Sequence, residues 1–373
     1  QCFVFGFEGH ETSEDFKTLI TKHYLGNVIL MKRNVRDVEQ VHGLVQALQK
    51  LAKDAGHERP LLIGTDQENG LVSAFSSPTC GTLFPGAMAL AATASTELAQ
   101  RVTFASASEM KMAGINWAYS PVADVNSDPR NPVIGVRSFG DDPSKVSDFV
   151  EAVSNGLTSG GIAPSAKHFP GHGNTHVDSH LSLPRIMQSK DALTQTELVP
   201  FQRLVDANVA SIMTGHMALP LVTGDDTPCS LAHIITTRLL REEMGYTGVV
   251  VTDCLEMEAV AEKYGAEGGA VMALEAGADV VMICHRMDRQ LGALERAYDA
   301  VRAGRLSVDA LREKNRRVNA LKDAFAGSWD AVLSTPFDAE GWARLKAKHA
   351  SLSAEAYAAA VSVVHDSGGV LPI

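Results

Sequence analysis

The chain has 373 residues, of which 45% are hydrophobic and 21% charged, with 31 Gly and 15 Pro. At roughly 100–200 residues per domain, this length holds two ordinary domains or one large barrel with an appendage, and it excludes a single small core; the composition excludes a disordered or collagen-like chain. Thirty-three Lys plus Arg against 44 Asp plus Glu leave a net charge of -11, so a phosphate backbone gains little from binding here and nucleic acid is not an expected partner.

The longest apolar runs, at 248–252 and 278–284, fall far short of the roughly 20 residues a membrane helix needs, and no membrane partner is expected. The first residues, Gln1-Cys2-Phe3-Val4-Phe5-Gly6-Phe7, lack an initiator Met and a signal pattern. They read as a strand already under way, with the true N-terminus expected upstream. Cys2, Cys80, Cys229, Cys254 and Cys284 are odd in number and scattered, which predicts buried thiols rather than a disulfide framework.

In chain order, apolar runs occur at 2–7, 27–31, 60–64, 114–118, 162–167, 209–213, 248–252 and 278–283. Each is largely hydrophobic, as expected of parallel strands buried on both faces. Between them, 35–55, 95–113, 143–159, 191–207, 231–244, 255–276 and 288–303 carry apolar residues at three- and four-residue spacing and read as crossover helices. Gly114, Gly161 and Gly245 stand at or just past the ends of three of these helices, where a left-handed cap favours glycine. Eight such runs predict an α/β fold of the closed (β/α)8 type, a TIM barrel, over residues 1–325. An open doubly wound sheet is the alternative, but Gly6-Phe7-Glu8-Gly9-His10 is not the glycine-rich phosphate turn such sheets usually carry. Beyond residue 304 come a charged helix at 306–325, a Trp- and Pro-containing stretch at 328–342 and an Ala-rich helix at 345–359. Residues 361–373 look like a strand and turn, so 326–373 are expected to form a linker helix and the start of a truncated second α/β domain.

Active sites of such barrels lie at the carboxyl ends of the strands. Polar residues cluster at these positions: Asp66-Gln67-Glu68, Arg137, Lys167-His168, His216 and Asp253. The densest segment runs from Lys167 to His180, with histidines at 168, 172, 176 and 180. On a helix that spacing would form a metal-binding stripe, but Pro170, Gly171 and Gly173 rule out a helix, so a loop and no metal are expected. Asp178 and His180 stand two apart, which in an extended stretch lets the carboxylate orient the imidazole as a general acid/base. The alternative is that His180 merely pins the loop. Asp253 ends an apolar run and is expected either to project into the barrel mouth or to cap the next helix. Glu256 and Glu258 are expected to complement that helix's N-terminus.

Lys167-His168-Phe169-Pro170-Gly171-His172-Gly173, followed by Asp178-Ser179-His180 and Pro184, closely resembles the signature of family 3 glycoside hydrolases of the β-N-acetylglucosaminidase branch. Asp66-Gln67-Glu68, Arg137-Ser138-Phe139-Gly140-Asp141-Asp142-Pro143 and Thr252-Asp253 fall in the order that the resemblance requires, over roughly residues 2–325. The resemblance implies a retaining exo-β-N-acetylglucosaminidase in which Asp253 is the nucleophile and the Asp178–His180 dyad the acid/base. Asp66, Arg137, Lys167, His168 and, from the pocket wall, His216 would then bind the sugar, with no cofactor and a small carbohydrate as the partner. His172 and His176 are expected in loop or wall roles. The alternative for Asp66, Arg137 and Lys167 is an ion network that satisfies only itself. Two departures bear on the substrate. Many bacterial members continue the third-strand motif as Glu-Gly-Gly-Arg with a further Arg, where this chain has Glu68-Asn69-Gly70-Leu71-Val72-Ser73; Asn174 stands where Asp is usual. The missing cations favour neutral chitin-type oligosaccharides over anionic muropeptides. A β-glucosidase or a phosphorylase of the same family, and a non-catalytic carbohydrate-binding barrel, are the alternatives.

Overall fold

A computed structural model describes residues 1–75 and 80–362. Each predicted run forms a parallel strand: β1 Phe3–Phe5, β2 Asn27–Leu30, β3 Leu62–Thr65, β4 Trp117–Ala118, β5 Ala163–Phe169, β6 Ser211–Thr214, β7 Val249–Cys254 and β8 Val280–Ile283. They pair in chain order, and β8 returns to β1 with Phe3 opposite Val281, closing the barrel. The runs read as continuously apolar because both faces are covered. Val4, Ile29, Leu62, Met213 and Val251 fill the interior, while their neighbours Phe3, Phe5, Val28 and Val250 pack under the helices. Trp117 is buried inside the barrel with its indole N–H satisfied, donating to Ser211 Oγ at 2.8 Å.

The crossover helices are α1 Glu14–Lys22, α2 Val38–Asp54, α3 Thr96–Met112, α4 Pro143–Ser159, α5 Leu198–Asp206, α6 Ile234–Glu243, α7 Glu258–Ala276 and α8 Met287–Arg302. Gly114, Gly161 and Gly245 adopt φ of +85°, +75° and +77°, the left-handed geometry expected of them. Helix α1 escaped the periodicity reading: it has only nine residues, with Ser13 accepting the Phe16 N–H and Phe16, Leu19 and Ile20 buried. The predicted helix at 191–207 divides into Lys190–Gln195 and α5, because Pro200 has no N–H to offer the Thr196 carbonyl. Helix α6 starts three residues later than predicted and is wound as a π-helix.

Past the barrel, α9 (Val308–Phe325) plugs its amino-terminal end by adding Val318 and Leu321 to the interior cluster. Then α10 (Ala339–Ala359) runs back against α3, through Arg101 to Glu355 at 2.8 Å and a buried His349 Nδ1 contact with Glu109 at 2.7 Å. The strand and turn expected at 361–373 lie, from residue 363 on, outside the described residues.

Candidate active site

Two slips of register fall at the carboxyl end of the barrel. Between β5 and β6 the pairing moves from Ala166 with Ile212 to Phe169 with Thr214, and between β7 and β8 from Val251 with Val280 to Cys254 with Met282. Each adds one residue to the strand that carries chemistry. Neighbours in a regular strand point to opposite faces, and an extra residue re-aims them. Hence Lys167 and His168, although consecutive, both make side-chain contacts at the barrel mouth.

Glu68 is the hub of the charged floor, a role its sequence position alone did not reveal. It receives Arg137 through Nε and Nη2, both at 2.8 Å, and Lys167 Nζ at 2.7 Å. Lys167 also donates to Asp66 at 2.6 Å. Burial works against ionisation of Glu68, but the Lys167 and Arg137 charges outweigh it and hold the carboxyl down at about 2. Burial likewise opposes the Lys167 charge, and Asp66 and Glu68 more than compensate, raising its pKa. Asp66, Arg137 and Lys167 therefore meet as the sequence suggested, with Glu68 as the joint. Asp66, whose side chain is 32% exposed against 3% for Lys167, is the member turned toward the open mouth.

Asp124, after β4, was not singled out in the sequence. Fully buried, it accepts the His172 N–H at 2.6 Å, the His168 N–H at 3.2 Å and His168 Nδ1 at 2.7 Å. Burial raises its pKa. Burial and then the Arg137 charge push the His168 pKa well down; its Nδ1 stands against Asp124 and its Nε2 faces Arg137 Nη2 at 3.4 Å. The Pro121-Val122-Ala123-Asp124 stretch just past the fourth run was the available signal.

Asp253 lies in the strand and is not a helix cap, because α7 begins at Glu258 with Met257 at the cap position. Its Oδ1 accepts the Cys254 N–H at 2.7 Å. Burial opposes its charge, but the neighbouring imidazoles of His168 and His216 and the Cys254 N–H hold it below the usual carboxylate range. His216 is buried with both nitrogens engaged inside the protein, Nδ1 with Ser230 Oγ at 2.7 Å and Nε2 with the Cys254 carbonyl at 3.0 Å. Neither nitrogen is left for a sugar hydroxyl. Glu258 opens α7 as expected, whereas Glu256 turns away from that helix and accepts the N–H groups of Cys284, His285 and Arg286.

The four histidines each find a different partner. His168 is on Asp124, His172 between Thr175 Oγ1 and Ser179 Oγ (both 3.0 Å), His176 on Asp128 at 2.7 Å, and His180 on Asp178 at 2.7 Å. Asn131 anchors the loop, donating to the carbonyls of His172 and Gly173 at 2.8 and 3.0 Å and to Thr175 Oγ1 at 3.2 Å. Gly173 is required there, since a Cβ would stand 1.6 Å from the Val125 carbonyl oxygen. Above this buried base the dyad is accessible: Asp178 and His180 side chains are 32% and 62% exposed. Hydrogen bonds from the His180 backbone and ring outweigh burial and lower the Asp178 pKa. Ser179 pins the loop, its carbonyl accepting the Ala259 N–H of α7 at 3.3 Å, and so ties the dyad to the helix that follows Asp253. Among the described residues, the histidine, cysteine and acidic side chains whose donor atoms converge as a metal site would require are Cys254, Cys284 and His285.

The family model described as "Glycosyl hydrolase family 3 N terminal domain" matches residues 4–321. Beta-hexosaminidase A of Pseudoalteromonas piscicida is 33% identical over 379 residues, covering 96% of this chain, which spans 62% of that relative's length. A fungal multi-domain family 3 β-N-acetylglucosaminidase superimposes with a TM-score of 0.92 at 44% identity, over 95% of this chain and 42% of the fungal one. A family 3 β-N-acetylglucosaminidase from a Paenibacillus species gives 0.86 at 37% identity, over 95% of this chain and 67% of its own.

Proposed function

The chain belongs to glycoside hydrolase family 3, and on that premise we propose that it is a retaining exo-β-N-acetylglucosaminidase that removes single N-acetylglucosamine units from neutral, chitin-type oligosaccharides. The observation that carries this reading is the pairing of an ionised Asp253 with an Asp178–His180 dyad on a loop tied to the helix following Asp253.

In the first step an Asp253 oxygen attacks the anomeric carbon while the bond to the leaving oxygen breaks. The imidazolium of His180 gives its Nε2 proton to that oxygen, because Nδ1 is committed to Asp178. In the second step neutral His180 takes a proton from water as the water attacks the anomeric carbon, and Asp253 leaves as carboxylate. Retaining glycosidases commonly use two carboxyl groups. A carboxyl acid must be desolvated to keep a proton near neutrality, and an imidazole need not be, which suits an accessible loop. Asp66, Lys167, Arg137 and His168 form the polar floor for the sugar hydroxyls, where charge-assisted hydrogen bonds are roughly twice as strong as neutral ones. The third-strand turn carries Leu71, Val72 and Ser73 instead of arginines, which supports a neutral substrate.

The test is to incubate the protein with a fluorinated N-acetylglucosaminyl donor and map the labelled peptide. A label on the peptide containing Asp253, with turnover of a chromogenic β-N-acetylglucosaminide far above the β-glucoside and free sugar as product even in phosphate buffer, is expected. A label elsewhere, or a sugar 1-phosphate product, overturns the mechanism.

A further inference from the structure

Cys254 ends β7, and Cys284 directly follows the adjacent strand β8; both side chains belong to the cluster that fills the barrel interior, at its carboxyl-terminal rim. Neither is in a disulfide, and both are buried, while the next residue, His285, is exposed. One donor atom from each, two sulfurs and an imidazole nitrogen, lies within 4.8 Å of the other two. The reaction proposed above uses none of the three.

The backbone carrying these donors is held in place. The Glu256 carboxylate accepts the N–H groups of Cys284 at 2.9 Å, His285 at 2.7 Å and Arg286 at 3.0 Å, and its Oε2 stands 3.7 Å from Cys254 Sγ. The Leu255 N–H adds a bond to the Met282 carbonyl at 2.9 Å, joining the two strand ends just below the thiols. One half-buried carboxylate thus fixes the spacing of the donors, the kind of support that orients ligands around an ion. Tetrahedral zinc, with Zn–S about 2.3 Å and Zn–N about 2.0–2.1 Å, places its ligand atoms roughly 3.5–3.8 Å apart. With every separation within 4.8 Å, no pair of donor atoms here has to close by more than about 1 Å.

We propose that Cys254, Cys284 and His285 form a binding site for a thiophilic divalent cation of the zinc class, at the barrel rim one residue from Asp253. Two sulfurs and one imidazole suit such an ion and not Mg²⁺ or Ca²⁺, which demand oxygen. On binding, both thiol protons pass to solvent, the two thiolates neutralise the dication, and a fourth position stays open to water.

Cobalt(II) is the probe, added to the reduced, chelator-treated protein. One equivalent is expected to produce a thiolate-to-cobalt charge-transfer band with tetrahedral d–d absorption, and zinc is expected to displace it. Cys254→Ser and Cys284→Ser should each remove or sharply reduce the band, and His285→Ala should keep it while weakening affinity at least about tenfold. His180→Ala should change neither. The site is overturned if wild-type protein shows no thiolate band at saturating cobalt, if the band survives either serine variant, or if His180→Ala removes it. Because His285 is exposed, its variant keeps the test decisive should a cysteine variant not fold: unchanged affinity there also overturns the site. These readouts are independent of glycosidase activity.

Discussion

Replacing Glu68 by Gln removes the one charge shared by Arg137 and Lys167 while nearly preserving shape. The carboxyl titrates at about 2 in the folded protein against an ordinary value of 4.5, which corresponds to roughly 3 kcal/mol of stability at neutral pH. The independent expectation for breaking a buried pair by removing one partner, about 3–5 kcal/mol, agrees. Because the folded value is depressed, this contribution is complete above pH 4.5 and is lost as pH falls toward 2; about 2 kcal/mol of it is gone by pH 3. Urea unfolding of wild type and Glu68→Gln at pH 7, 5 and 3 therefore should show a gap of about 3 kcal/mol that holds at pH 5 and shrinks to about 1 at pH 3. A gap below about 1 kcal/mol at pH 7, or one that does not narrow with acid, refutes the view that Glu68 is the charged joint of the floor.

Asp253→Asn is expected to lower kcat by more than about a thousandfold, read with a chromogenic substrate, since in the proposed mechanism its oxygen forms the glycosyl-enzyme. His180→Ala should cost about 10²–10⁴ in kcat and progressively less as the leaving group becomes more acidic, with little change in Tm because the side chain is exposed; a loss independent of leaving group would remove it as the acid. Asp178→Asn removes the carboxylate that orients the His180 ring through Nδ1, so kcat should fall more than about tenfold with little change in KM, and an unchanged kcat would separate Asp178 from the proton transfer. Asn131→Ala leaves the N–H groups of Val133 and Ile134 unpaired and removes one donor each from the His172 and Gly173 carbonyls, which should cost about 2–4 kcal/mol in urea unfolding and lower kcat with it.

The eight strands, the three left-handed glycine caps and the positions of Asp66, Lys167 and Asp253 at strand ends were legible in the chain itself. A strand covered on both faces must be apolar throughout, and a barrel of parallel strands presents its chemistry where each run stops. Local rules of that kind need no knowledge of neighbours. The break in the helix at 191–207 was local too, since Pro200 was there to read; the rules failed where geometry depends on neighbours, and four histidines at even spacing proved to have four different partners. Glu68 and Asp124 look like ordinary acidic residues until β3, β4 and β5 come together, because a carboxylate's burial and charge are set by the cations and N–H groups other strands deliver. Cys254, Cys284 and His285 likewise become one cluster only because β7 and β8 are adjacent. The sequence by itself determined the barrel and the stations along its rim, through hydrophobic burial acting on local pattern. Tertiary structure alone decided which charges meet, because a Coulomb interaction depends on distance in space and not on separation along the chain.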